Sequence, residues 1–467
     1  MKYIATLLAL ACQLSAATFY LDSGAGGTKD GSSWQNAWTD LPSVKASPGD
    51  TVYISGGPAG QVRNYAVPAV GYWNLPPGTA SSWITYKIGQ DAQHNGTAIF
   101  NAGLYQLISG PRYFTFSGNA GDGAMHFKLA GFDKHEVFSN INFFHFEYID
   151  GGTGIGAIGS VSGNQVEINN CFFNVTDLTA DRALYVQFAG SSPTDNKIHH
   201  NTILIPHIGP GIGADGIQGG GTGYSITYNH IEGYNAAYTG GQHQDGFQSL
   251  GSGNAEIGNN DFLNISNYAI YGDAYYAGFD TINVHDNTVR FTDKVLNTGS
   301  PGGIIFGTDG GYAGTSPCTF NKVSIIHNLV VDYFWTPVQN INAGIALNNG
   351  TKNATVFTGC VVTDNLMVNG TTTVSSSGNT TSKIANNTAM TAAQAAGYFK
   401  KYVPYGADND YSPFFSGTPP VVVPPVVVPP VVVPPVVVPP TNPKIAGAII
   451  STDGKSITIQ FDKSINP

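Results

Sequence analysis

Cysteine, charge and long apolar runs are all scarce in this 467-residue chain. Four cysteines, Cys12, Cys171, Cys318 and Cys360, cannot form a disulfide scaffold, and none lie at the close paired spacing of a zinc ribbon or finger. Charged residues make up 11%, well under the usual quarter, and the net charge is -10. Nucleic acid as a partner is thereby excluded, since phosphate binding needs clustered Lys and Arg. Beyond the first residues no apolar run is long enough for a membrane span. The richness lies elsewhere: 59 glycines and 12% aromatic residues argue for a folded β protein rather than a disordered chain.

The organisation reads in four parts. Residues 1–17 have a Lys2 followed by an apolar run and Ser15-Ala16-Ala17, the pattern of a secretory signal cleaved near Ala17. The chain is therefore expected outside the cell, as a monomer. Residues 417–443 are a Pro/Val-rich linker, PPVVVPPVVVPP and onward, whose proline pairs favour an extended spacer. Residues 444–467 alternate apolar and polar about Asp453-Gly454, a hairpin that resembles the start of an immunoglobulin-like or carbohydrate-binding module.

The body, 18–416, carries an irregular repeat. An apolar residue precedes an Asn by three positions at Ile198/Asn201, Ile226/Asn229, Ile257/Asn260, Val284/Asn287 and Ile325/Asn328, with Asn365 and Asn387 as later copies. Alternating with these are small–apolar pairs: Ala183-Leu184, Gly216-Ile217, Gly246-Phe247, Ala269-Ile270, Gly303-Ile304 and Gly344-Ile345. Short β-prone segments at this period, without amphipathic helices between them, predict an all-β solenoid. A parallel β-helix fits best, with the Asn residues stacked at turns and residues 18–60 supplying a cap with Trp34 and Trp38.

With those features in hand, the opening FYLDSGAGGTKDGSSWQNAW followed by PGDTVYI resembles the secreted right-handed parallel β-helix proteins of the pectin-lyase-like superfamily. The resemblance spans residues 18 to about 390 and implies that fold and a polysaccharide substrate.

Two segments echo each other thirty residues apart, Ala214-Asp215-Gly216-Ile217-Gln218 and Gln244-Asp245-Gly246-Phe247-Gln248. If the small–apolar pairs stack, Asp215 and Asp245 share one column and Gln218 and Gln248 another. Two carboxylates so placed suit acid/base work, one protonated and one ionised, or hold a hard cation such as calcium. Either member alone also reads as an ordinary Asp-Gly turn. The placement resembles that of the polygalacturonases, which carry acids on successive coils. This chain departs from them: Gln244 stands where they have a further Asp, Tyr268 where they have a His, and their later Arg-x-Lys has no match here.

From Ile198 to Val289 there is no Lys or Arg across 92 residues, while tyrosines abound, among them Tyr238, Tyr268 and Tyr271. Tyrosine rings stack on sugars and their hydroxyls bond to them. The reading is a secreted glycan-cleaving enzyme, a glycoside hydrolase in which Asp215 and Asp245 do acid/base chemistry with His243 nearby. Arg182, Gln218, Gln248, Tyr268, Tyr271 and Tyr238 would bind substrate, and no cofactor would be required. Two alternatives remain open: a calcium-dependent polysaccharide lyase with Arg182 or His243 moving the proton, and a non-catalytic glycan-binding or adhesin rod. Asp273 and Asp309 are weaker candidates for the same face.

Overall fold

The computed structural model describes residues 16–66, 76–101, 113–130, 136–148 except 139 and 143, 155–158, 166–175, 182–205, 208–209, 212–213, 215–233, 244–274, 277–291, 302–307, 318–332, 344–347, 356–368, 383–390, 445–450 and 457–461. Most of the expected signal peptide, the Pro/Val linker, and His243, Tyr238 and Asp309 lie outside the described residues. The chain divides into two compact units, Met1–Pro419 and Pro420–Pro467. In the second, Ile445–Ile450 and Ile457–Phe461 pair antiparallel, the expected hairpin.

The first unit is a parallel β-helix. Among the described residues its strands form a 20-stranded and a 12-stranded sheet, and strands of successive coils pair in parallel. The only helical element described is the short 3-10 turn Leu41–Ser43. The larger sheet contains two strand ladders, which fuse in the long strands Asp215–Thr227 and Phe247–Gly258.

Each sequence motif becomes a column. Leu184, Ile217, Phe247, Ile270, Ile304 and Ile345 are register partners on consecutive coils, and all are fully buried. The other ladder of the large sheet stacks Ile198, Ile226, Ile257, Val284 and Ile325. The smaller sheet stacks Ile203, Ile231, Phe262, Val289, Val330 and Met367 against them. Three apolar columns thus converge on one core, which supplies the main folding free energy. The small residue of each small–apolar pair now has a cause. A Cβ on Gly216 would lie 2.7 Å from Ile231 Cγ2, and one on Gly246 would lie 2.5 Å from the Phe262 ring.

The Asn repeat is a hydrogen-bonded ladder. The Nδ2 of Asn201, Asn229, Asn260, Asn287, Asn328 and Asn365 each donates to Oδ1 of the next Asn, ending at Asn387, over 2.8–3.0 Å. That same Oδ1 also accepts the backbone N–H of the preceding rung's Asn. The residue before each rung is left-handed, with φ between 53° and 59° from His200 to Asn386. Every coil therefore turns the same way just before its Asn. Cys171 holds the rung before Asn201, its N–H donating to Asn201 Oδ1 at 2.9 Å. Cys171, Cys318 and Cys360 are all buried.

At the N-terminal edge, Thr18–Leu21 pairs with Thr51–Ile54 on one side. On its other side Tyr20 N–H donates to Gly31 O, and Trp38 N–H donates to Tyr20 O. Trp38 packs its ring against Phe19 at 5.0 Å. Residues 31–38 thus satisfy backbone groups that an open edge would expose.

Candidate functional site

Asp215 and Asp245 do stack on adjacent coils. Gly216 N–H donates to Asp245 O, and Asp245 N–H donates to Asp215 Oδ1 at 2.9 Å. Asp245 Oδ1 in turn accepts Tyr268 N–H and Asn267 Nδ2, each at 2.9 Å. Both carboxylates are buried, at 2% and 0% exposure. Each therefore caps the coil that follows it, as the Asn ladder does elsewhere. Asp215 opens its strand with the same parity as the buried Ile217. Its side chain nevertheless reaches the outward-facing Gln218, whose Nε2 donates to Asp215 Oδ2 at 2.8 Å.

The glutamine column also forms. Gln218 Nε2 donates to Gln248 Oε1 at 2.6 Å. In register with these two are Tyr185 on the preceding coil and Tyr271 and Ile305 on the following ones. Tyr271, Ile305 and Ala346 make a small buried apolar cluster on the outer side, with Tyr268 packed against it. The Tyr268 and Tyr271 rings lie 4.9 Å apart. Arg182 is the register partner of Asp215, and its guanidinium stands 5.1 Å from the centre of the Tyr185 ring. The structure so brings together Arg182, Asp215, Gln218, Asp245, Gln248, Tyr268 and Tyr271; Asp273 is buried at the end of the Tyr268–Asp273 strand.

The departures from the polygalacturonase pattern have local causes. Gln244 is buried and its Nε2 donates to Ile205 O at 3.0 Å, a bond that an ionised Asp could not donate. Tyr268 lies over Gly302, where a Cβ would come within 2.6 Å of its ring.

Beside the glutamines runs a groove that the motif reading missed. One cavity, of about 410 Å³, is lined by Tyr185, Gln187, Gly219–Gly221, Leu250 and Gly251 among others. A second, of about 490 Å³, adjoins it through Gly221, Gly251 and Ala277 and is flanked by Thr222, Asn254, Asp280, Thr319 and Asn321. Its floor is glycine for a steric reason. At Gly219 and Gly221, with φ of 139° and 110°, a Cβ would meet Val186 O and Phe188 O at 1.9 and 2.0 Å. These glycines make the bend where the two ladders fuse, and the bend leaves the hollow. The run Gly219-Gly220-Gly221 followed by Gly251-Ser252-Gly253 on the next coil was its signal in the sequence. Neither cavity is lined by Asp215 or Asp245.

No family model and no curated protein matches the chain. Among solved structures it is similar to pectate lyase Pel9A, at 14% identity and TM-score 0.34, over 78% of this chain and 80% of that one. A rhamnogalacturonan lyase gives 14% and 0.31 over 80% and 88%. The GH136 lacto-N-biosidase from Eubacterium ramulus gives 10% and 0.30 over 79% and 68%. The parallel β-helix that the pectin-lyase-like resemblance implied is established by the strand registers themselves.

A separate charged cluster was also missed. On the outer side of the smaller sheet, His230 Nδ1 and Asp261 Oδ2 lie 2.8 Å apart. Arg290 grips the same carboxylate, through Nε at 2.8 Å and through Nη2, and Glu232 approaches His230 Nε2 at 3.3 Å. Burial alone would raise the Asp261 carboxyl, but bonds from His230 and Arg290 hold it below the ordinary range. Burial would lower His230, yet Asp261 and Glu232 raise it above its usual value. The cluster spans three coils and its charges satisfy one another, a structural staple. Arg290, the first cation after the Lys- and Arg-free stretch, is thereby accounted for.

Proposed function

We propose that the protein binds an extended polysaccharide along the outer face between Tyr185 and Tyr271 and cleaves it by hydrolysis with Asp215 and Asp245. The observation that carries this reading is the in-register stacking of two Asp-Gly-apolar-Gln segments, with the Gln218 amide bonded to both Asp215 and Gln248. A strand spacing of about 4.8 Å sits near the roughly 5–5.5 Å carboxyl separation of retaining glycosidases. One carboxyl would give its proton to the leaving glycosidic oxygen while the other, ionised, attacks the anomeric carbon; water then releases the sugar. Gln218 and Gln248 would orient the carboxylate and the sugar hydroxyls. Export by the N-terminal segment would bring the enzyme to such a substrate.

Calcium suits the pair poorly. N–H donors occupy both Asp215 oxygens and one of Asp245, whereas a hard cation takes six to eight oxygens. Among the described residues no three His, Cys, Asp or Glu side chains converge as a metal site. A second reading has its own observation. Both carboxylates are buried and cap the next coil, which suits a glycan-binding rod whose Asp residues only hold turns.

The test is a polysaccharide panel read by new reducing ends and by absorbance of unsaturated products. Hydrolysis predicts reducing ends without the chromophore, and a loss of about a hundredfold or more in Asp215→Asn and Asp245→Asn. The double variant should lose little more, since the two act as a unit. Asp245→Asn keeps an acceptor for Tyr268 N–H, so a purely capping role would leave turnover nearly intact. Full activity in both variants would remove Asp215 and Asp245 from the chemistry, binding without any cleavage would favour the rod, and unsaturated products would favour the lyase.

A further inference from the structure

The two adjoining cavities form one trough crossing five coils, from Tyr185–Ala189 through Gly219–Thr222, Gly251–Asn254 and Ala277–Asp280 to Thr319–Asn321. Four inter-coil steps of about 4.8 Å give it a length of roughly 19 Å. Its polar lining is almost wholly neutral: Gln187, Thr222, Ser252, Asn254, Thr319 and Asn321. Among the described lining residues the one carboxylate is Asp280, exposed and fixed by the Asn321 Nδ2 and Thr281 Oγ1 hydrogen bonds it accepts at 2.8 and 3.0 Å. Among the described residues no Lys, Arg or His lines either cavity. Two cations stand nearby. Arg182 lies against the Tyr185 ring in register with Asp215, and Lys322 follows the lining residue Asn321, its Cγ 3.8 Å from where a Cβ on Gly359 would lie.

From this we infer that the trough takes a neutral glycan chain and that Asp280 is a specificity residue that turns away carboxylated sugars. The inference rests on the polysaccharide reading above and adds the substrate class. A polyuronate brings a negative charge on every sugar, and the described residues of the trough offer no lining cation to neutralise it. Hydroxyl-rich neutral sugars instead find amide and hydroxyl partners along a glycine floor flat enough for backbone-close approach. Near one exposed carboxylate the repulsion is a short-range, salt-sensitive effect.

Affinity of the full chain for xylohexaose, cellohexaose and mannohexaose, against hexagalacturonate, is measured by calorimetry at low and high salt. At least one neutral hexasaccharide should bind tenfold or more tighter than hexagalacturonate at low salt, with the gap narrowing as salt rises. Asp280→Lys should strengthen hexagalacturonate binding about tenfold relative to the neutral ligand. Asp280→Asn, which preserves shape and the contact with Asn321, should move part of the way. Hexagalacturonate binding as tightly as any neutral chain overturns the substrate class while leaving the polysaccharide reading intact. A neutral preference unmoved by either variant overturns the role of Asp280. No binding of any hexasaccharide overturns the polysaccharide reading and this inference with it.

Discussion

Replacing Asn260 tests whether the ladder holds the solenoid together. In Asn260→Ala, the Asn229 backbone N–H loses its acceptor, Asn229 Nδ2 loses one of three, and Ile226 O loses a donor. The residue's own N–H still donates to Asn287 Oδ1. Asn229 Nδ2 keeps Ile198 O and Thr227 O as acceptors, so two buried polar groups, the Asn229 N–H and Ile226 O, are orphaned at about 1–3 kcal/mol each, and the loss should be about 2–4 kcal/mol. Asn260→Asp separates hydrogen bonding from shape. The Asp retains an acceptor for Asn229, but its second oxygen faces the carbonyl of Ile226 and Oδ1 of Asn287, acceptors against an acceptor. It should cost as much as the Ala variant despite being nearly isosteric. Because a solenoid couples mainly neighbouring coils, the assay is residue-resolved amide exchange together with chemical denaturation. Exchange should accelerate first at Asn229 and on the strands either side. A stable Asn260→Asp protein, within about 1 kcal/mol of the parent, or an Asn229 amide still protected in the Ala variant, would refute the argument.

Phe247→Ala empties the middle of the Ile217–Phe247–Ile270 column and should cost about 3–5 kcal/mol in denaturant melts. The His230 staple sets a pH window. His230 is raised, so its contribution is complete below its unfolded value of 6.5 and fades as pH climbs through the folded value. Asp261 is lowered, so its share is complete above 3.8 and is lost on acidification through its folded value. A melting-temperature profile should fall on both sides, and His230→Gln should remove the alkaline limb; an unchanged alkaline limb would count against the staple. Ending the chain near Gly417 should leave the melting temperature of the body within a few degrees, since proline spacers separate independent units.

The sequence by itself determined the coil. The small–apolar pairs and the Asn rungs recur because every coil must place an apolar residue inward and turn at the same point, so local chemistry repeats in the primary structure. That made the column Ile217, Phe247, Ile270, Ile304 and the ladder Asn201 to Asn387 legible before any coordinates. The alignment of Asp215 with Asp245, and of Gln218 with Gln248, followed from the same period. Tertiary structure decided what those side chains face. The carboxylates cap neighbouring amides inside the wall, a fact set by backbone groups on the next coil that no residue type announces. The open surface lies instead over Gly219–Gly221, where crowding against Val186 O and Phe188 O bends two ladders into one. Asp280 meets Asn321 across 41 residues, and Arg290 meets Asp261 across 29. Such pairs depend on how many residues each loop inserts between coils, and unequal loop lengths leave no period in the sequence from which to read them.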